Sequence, residues 1–224
     1  MKIFDVKWTS EYAGPSPDDY KRTEIFLYGC NKAINGNPCY KCFNPKLWNN
    51  SDAIIEYTPT SIVDTIKKYA PNKYITFVGG EPLDQLEDLA KTCVLLKQNN
   101  YHIIVFTHHR LQDLVEQYVY DDNMKDLLDN IDILVDGEYI DYQKIYDDDL
   151  VDGFHNAIGS ANQIIWDLKT RRDNKLEYAQ GIKAQDLAGL YVTGKQDLKY
   201  ITKLTDVPFI IQSFVSSYDR VKVA

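Results

Sequence analysis

The stretch Tyr74-Ile75-Thr76-Phe77-Val78-Gly79-Gly80-Glu81-Pro82-Leu83 decides the fold. Its first half is rich in β-branched and aromatic residues, which fit a pleated, buried strand. Two glycines and a proline then close the strand with a turn. A helix is predicted over residues 83–97, because Leu86, Leu89, Cys93 and Leu96 recur three, four and three residues apart along one face. The stretch is therefore a strand–turn–helix unit, and the same unit recurs on both sides. Upstream, residues 24–28 form a short apolar run ending at Gly29. A helix over 60–69 follows, carrying Ile62, Val63, Ile66 and Tyr69, and Pro71-Asn72 stop it. Downstream, residues 102–107 read as a strand, and a helix with Leu111, Leu114, Val115 and Tyr118 continues irregularly to Leu128. Residues 131–135 read as one more buried strand. Strand and helix alternating in this way predict βαβ units and a mainly parallel sheet.

The flanks add less. Residues 3–8 alternate as a strand, 13–19 form a loop, 141–152 an acidic exposed turn, and 164–166 a short strand. A helix near 196–203 and a strand over 208–215 are predicted in the last part of the chain. The 224 residues suit one domain with an extension, divided here as 1–170 and 171–224. Hydrophobic residues make up 44% and charged residues 26%, an ordinary globular balance. A net charge of −8 argues against nucleic acid as a partner. No apolar run approaches the ~20 residues that span a bilayer, and no signal-peptide pattern opens the chain. With only four cysteines, unevenly placed, a disulfide framework is not expected, and the expectation is a cytoplasmic protein without a membrane partner.

Three of those four cysteines, Cys30, Cys39 and Cys42, fall within thirteen residues. Thiolates select zinc or iron–sulfur clusters. Structural zinc usually takes four ligands in two paired knuckles, whereas this stretch offers one Cys-x-x-Cys pair and one outlying thiol. Three thiolates suit a four-iron cluster with one iron open to a substrate, since such clusters are otherwise held by four cysteines. The bland alternative, incidental cysteines on a surface hairpin, is weakened by Cys42 completing the set. Asn35-Gly36-Asn37-Pro38 favours an outward loop that leaves Cys30 and Cys39 close. Cys93 sits on the apolar helical face and reads as a core residue. His108-His109 reads as a pair of polar loop residues, because neighbours on a regular element point apart. Cys30, Gly79, Thr107 and Asp136 all end predicted strands on the same side, where α/β sheets and barrels place their sites.

The cysteine loop and Gly79-Gly80-Glu81-Pro82 together resemble the radical S-adenosylmethionine (SAM) superfamily, most closely the activating proteins of anaerobic ribonucleotide reductase. Cys42-Phe43-Asn44-Pro45 with Trp48, the run Ile131 through Gly137, and Gly159-Ser160-Ala161-Asn162-Gln163 carry the likeness over roughly residues 20–170. The gap of eight residues between Cys30 and Cys39 departs from the usual three, and Lys41 stands where an aromatic is common, with Tyr40 one place earlier. The resemblance implies a partial βα barrel. It also implies a [4Fe-4S] cluster on Cys30, Cys39 and Cys42 whose open iron chelates SAM, and an electron from the cluster that breaks the C5′–S bond of SAM. Gly79, Gly80, Glu81 and Pro82 would meet the methionine end of SAM, with Thr107 and Asp136 as further polar contacts and Tyr40 or Phe43 stacked on adenine. The implied partners are the reductase, on which a glycyl radical forms, and a one-electron donor such as a flavodoxin. Two other readings stand beside it: a small-molecule radical SAM enzyme of the 7-carboxy-7-deazaguanine synthase kind, and a non-catalytic zinc or iron–sulfur module.

Overall fold

A computed structural model describes residues 1–10, 21–48, 54–144, 159–160 and 162–168. Among the described residues, seven strands make one sheet: β1 (Lys2–Ser10), β2 (Arg22–Leu27), β3 (Ile55–Glu56), β4 (Tyr74–Gly79), β5 (His102–Phe106), β6 (Ile133–Asp136) and β7 (Ile164–Asp167). The order is β3-β1-β2-β4-β5-β6-β7, open at both described edges. The four strands β2, β4, β5 and β6 run parallel, as the βαβ pattern predicts. The edges are antiparallel: β1 on β2, β3 on β1, and β7 on β6. Mainly parallel therefore holds for the centre, and antiparallel pairs form each described edge.

Register explains the core. Ile25 lies opposite Phe77, Ile75 opposite Ile103, and Val105 opposite both Phe77 and Leu134. These residues point to one face, are fully buried, and meet Ile62, Ile66, Leu89, Cys93, Leu96 and Leu127 from the helices. The helices are α2 (Pro59–Tyr69), α3 (Leu86–Gln98), α4 (Leu111–Tyr118) and α5 (Asp122–Asn130), with α3 packed between α2 and α5. Helix α2 starts where its caps dictate. Ser61 N–H donates to Thr58 Oγ1 at 3.2 Å, Thr58 N–H donates to Ser61 Oγ at 2.9 Å, and Pro59 opens the helix.

Two expectations are corrected and a third is refined. The helix expected over 83–97 begins as a 3-10 turn, Pro82–Gln85, because the Glu81 carboxylate accepts the Leu83 N–H at 2.9 Å and tightens that turn. The single irregular helix reaching Leu128 is two helices. Asp121 Oδ1 accepts from Asn123 and Met124 N–H at 2.9 and 3.2 Å and starts the second. The loop after Cys30 begins as a helical turn, α1 (Asn31–Ile34), which Gly36 ends at φ +83°, and residues 34–37 are exposed, in keeping with an outward excursion at residues 35–38. The loop expected over 13–19, the part of the acidic turn beyond 144, the helix near 196–203, the strand over 208–215 and the extension 171–224 lie outside the described residues.

Candidate metal centre

The parallel strands deliver the loops that make the site. After β2, Gly29 adopts φ +95° and its N–H donates to Leu47 O at 2.7 Å. Cys30 follows at the start of α1, and Asn37 N–H returns to Lys32 O at 3.0 Å, folding the long gap onto itself. Cys42 N–H donates to Cys39 O at 3.1 Å across Lys41, which takes a left-handed φ of +57°. A 3-10 turn, Pro45–Leu47, then buries Leu47 and pins the loop's far end. Cys30, Cys39 and Cys42 are all half-buried on this one loop, whereas Cys93 is completely buried in the core of α3. Cys93 is thus a packing residue, its thiol pushed up by burial and then by Asp132.

Donor chemistry fits a cluster. Burial pushes the Cys39 thiol up to about 11, with Glu138 adding to the effect, while the Tyr139 backbone amide favours the thiolate. Burial also raises Cys30, against the backbone amides of Ala33 and Lys32. The Asn44 N–H donates to Cys42 Sγ at 3.4 Å. Backbone amides aimed at sulfur are a means by which proteins tune iron–sulfur clusters. A bound cation supplies what burial withholds, because it takes the thiolates and expels their protons.

The glycines of the second turn have a steric cause. Gly79 adopts φ +119°, and a Cβ there would lie 2.4 Å from Leu27 O. A Cβ on Gly80 would lie 1.7 Å from Gly29 O. In return the two turns interlock: Gly80 N–H donates to Leu27 O at 2.9 Å, and Glu81 N–H donates to Gly29 O at 2.7 Å. The glycine pair thus fixes the base of the cysteine loop against β4. Asn44 Nδ2 adds a contact of 3.5 Å to Gly79 O.

Glu81 is buried, and its carboxylate ties the ends of β4 and β5 together. Oε1 accepts from Leu83 N–H at 2.9 Å and from the Thr107 hydroxyl at 2.8 Å. Oε2 accepts from His108 N–H at 2.9 Å and meets His108 Nδ1 at 2.5 Å. Burial opposes its charge, yet His108 and these amides together hold the carboxyl below the usual range. The His108 ring responds in the opposite sense: burial lowers it, and the Glu81 pairing outweighs that and raises it. Thr107 also accepts the His109 N–H at 3.1 Å. Asp136 is buried at the end of β6, where it accepts the Leu111 N–H at 2.8 Å and lies 3.5 Å from Arg110 Nη1, so it holds the start of α4. Pro82 is buried beneath the turn.

A second interlock closes the site beyond β6. Gln163 Oε1 accepts from Gly159 and Ser160 N–H at 2.8 and 3.2 Å, and its Nε2 donates to Gly137 O at 2.8 Å. Asn162 Nδ2 donates to Glu138 O at 2.7 Å. Arg110 packs over Gly137 and donates to Asn162 O at 2.7 Å. The cysteine loop reaches this assembly through Phe43, whose ring lies 4.5 Å from that of Tyr139 and presses on Gly159. Lys32 pairs with Glu138 at 3.2 Å, and Lys41 with Asp141 at 2.9 Å. Tyr40 is 72% exposed and Phe43 61%, so both stand at the rim. The structure therefore gathers every sequence-derived candidate along the C-terminal edge of β2, β4, β5 and β6. Sequence reading missed Lys32, Arg110, Glu138 and Tyr139, which carry no periodic signal. It also missed the meeting of His108 and His109 with Glu81.

Residues 20–166 match the 4Fe-4S single cluster domain family. The match takes in all three clustered cysteines and most of the chain, and the chain belongs to that family. No curated protein matches the chain significantly. Among solved structures, QueE from Escherichia coli aligns at 15% identity with a TM-score of 0.38, over 48% of this chain. The aligned part is 51% of that structure's chain, about half its length. Among the described residues no helix is long and apolar enough to cross a membrane.

Proposed function

We propose that the chain is a radical SAM enzyme, and within that class an activating protein that installs a glycyl radical on an anaerobic ribonucleotide reductase. The observation that carries the first part is the set of three half-buried thiols on one loop, with the remaining cysteine sealed in the core. Such a set holds three irons of a four-iron cluster and leaves the fourth for a ligand. Once bound, the cluster supplies the single electron that cleaves the C5′–S bond of SAM. The chain's own residues do the placing. Cys30, Cys39 and Cys42 hold the metal, and the Gly29–Gly80 interlock sets the height of their loop over β4. Glu81 orients Thr107 and His108 on the neighbouring strand. The methionine end of SAM is assigned to the Gly79–Pro82 turn, and Asp136 and Thr107 position the backbone around it. Tyr40 or Phe43 offers a ring to adenine at an exposed rim.

The second part rests on the two sequence blocks shared with the activating proteins. Their residues Gly137, Gly159, Asn162 and Gln163 clamp one another beside Phe43 and Tyr139. An exposed aromatic rim suits a peptide segment bearing glycine, and a partial barrel would leave that rim uncovered. The acidic chain suits a protein partner better than a phosphate-rich one. With a chemical reductant and SAM, the cluster-loaded chain alone should cleave SAM slowly. Adding the anaerobic reductase from the same source should produce a glycine-centred doublet in electron paramagnetic resonance. Fast, partner-independent turnover of a purine-like small molecule, with no radical on the reductase, would instead establish the small-molecule reading.

A further inference from the structure

Glu81, His108 and His109 bring one ligand atom each to within 4.8 Å of one another. The convergence is unexpected for adjacent histidines, which diverge on a regular strand or helix. Here they occupy the irregular segment between β5 and α4, and their rings stack at 4.2 Å with 28° between planes. The Glu81–His108 contact accounts for His108, and ring stacking holds His109 beside it with a ligand nitrogen within 4.8 Å of both partners. That carboxylate is already oriented by Leu83 N–H, the Thr107 hydroxyl and His108 N–H. Outer hydrogen bonds of this sort fix metal-binding carboxylates.

We propose that Glu81, His108 and His109 form a second metal site, separate from the three thiols, for a borderline divalent cation such as Zn²⁺. Two imidazoles and one carboxylate suit zinc and its first-row neighbours, whereas calcium and magnesium prefer all-oxygen sets. Tetrahedral zinc places its ligand atoms about 3.3 Å apart, so binding would open the Glu81–His108 contact from 2.5 Å and draw the nitrogen of the partly exposed His109 inward. The cation takes the place between Glu81 Oε2 and His108 Nδ1 that their direct contact now occupies. Three protein ligands leave a fourth position for water or an oxyanion. The site adjoins the cysteine loop, because the Glu81 backbone is bonded to Gly29. The inference does not rest on the glycyl-radical reading; it gives the Glu81 carboxylate, engaged with Leu83, Thr107 and His108, to the cation and leaves the backbone of the Gly79–Pro82 turn to SAM.

The test uses full-length, cluster-loaded protein under anaerobic conditions, dialysed against Zn²⁺ and analysed for zinc, iron and sulfide. The expected result is one zinc per chain with no loss of iron or sulfide, and at least tenfold weaker zinc binding in both His108→Asn and His109→Asn. Zinc-edge X-ray absorption of the wild-type protein should show nitrogen and oxygen at about 2.0–2.1 Å with imidazole scattering. If a variant also loses its iron, the wild-type spectrum decides. No bound zinc, unchanged affinity in His109→Asn, or sulfur neighbours at about 2.3 Å would overturn the site.

Discussion

Gly80 shows how much one missing Cβ does. Its α-carbon faces the Gly29 carbonyl so closely that an added methyl would sit 1.7 Å from that oxygen, and the obstacle is backbone rather than a mobile side chain. Gly80→Ala should therefore push the cysteine loop off β4. The expected cost is about 3 kcal/mol, at the upper end for overpacking, with a parallel loss of iron, both readable by denaturation and iron analysis. The cysteines separate in the same kind of experiment. Cys30→Ala, Cys39→Ala and Cys42→Ala should each abolish bound iron and sulfide. Cys93→Ala should keep both and lose only about 1 kcal/mol of stability, since Cys93 fills core space. If Cys93→Ala lost iron as the other three do, the ligand assignment would fail. The thiols were legible in the sequence because clustering is a local signal. The cause of the glycine pair was not, because it lies in Gly29, some fifty positions away, and only the parallel register of β2 on β4 brings the two turns together.

At the scale of elements, the central strands were legible because buried parallel strands are short apolar runs with helices between them. The break between α4 and α5 was hidden, since the apolar positions continue through it and only the Asp121 cap marks the restart. The antiparallel edges were hidden for a related reason: alternation identifies a strand, not its partner. Strand β2 carries a further consequence. Glu24 is buried in it, and burial raises its carboxyl, partly offset by the Ser10 hydroxyl at 3.0 Å and by Lys7 at 3.8 Å. A carboxyl raised in the folded state contributes stability that is fully present below the ordinary glutamate range. That contribution is lost as pH rises through the raised value. Glu24→Gln should accordingly melt above wild type at neutral pH, with the gap closing as pH falls to 4. Melting temperatures across that range check this, and a gap that widens toward acid would reverse the sign assigned to Glu24.

On the scale of the whole molecule, four parallel strands point their C-terminal ends at one edge, and each loop there is locked to the next. The Gly80–Leu27 and Glu81–Gly29 backbone bonds join β2 to β4, the Glu81 carboxylate joins β4 to β5, Asp136 joins β6 to α4, and Gln163 joins β7 to β6. Such a chain of contacts holds three thiols in fixed relation without a fourth. We propose that these thiols carry a four-iron cluster whose remaining iron is open to SAM. Mössbauer spectroscopy of protein loaded with ⁵⁷Fe tests it most directly. One iron site in four should be distinct from the rest, with its parameters alone shifting when SAM is added. Four equivalent irons unaffected by SAM, or a chain that takes up zinc in place of iron and sulfide, would contradict it.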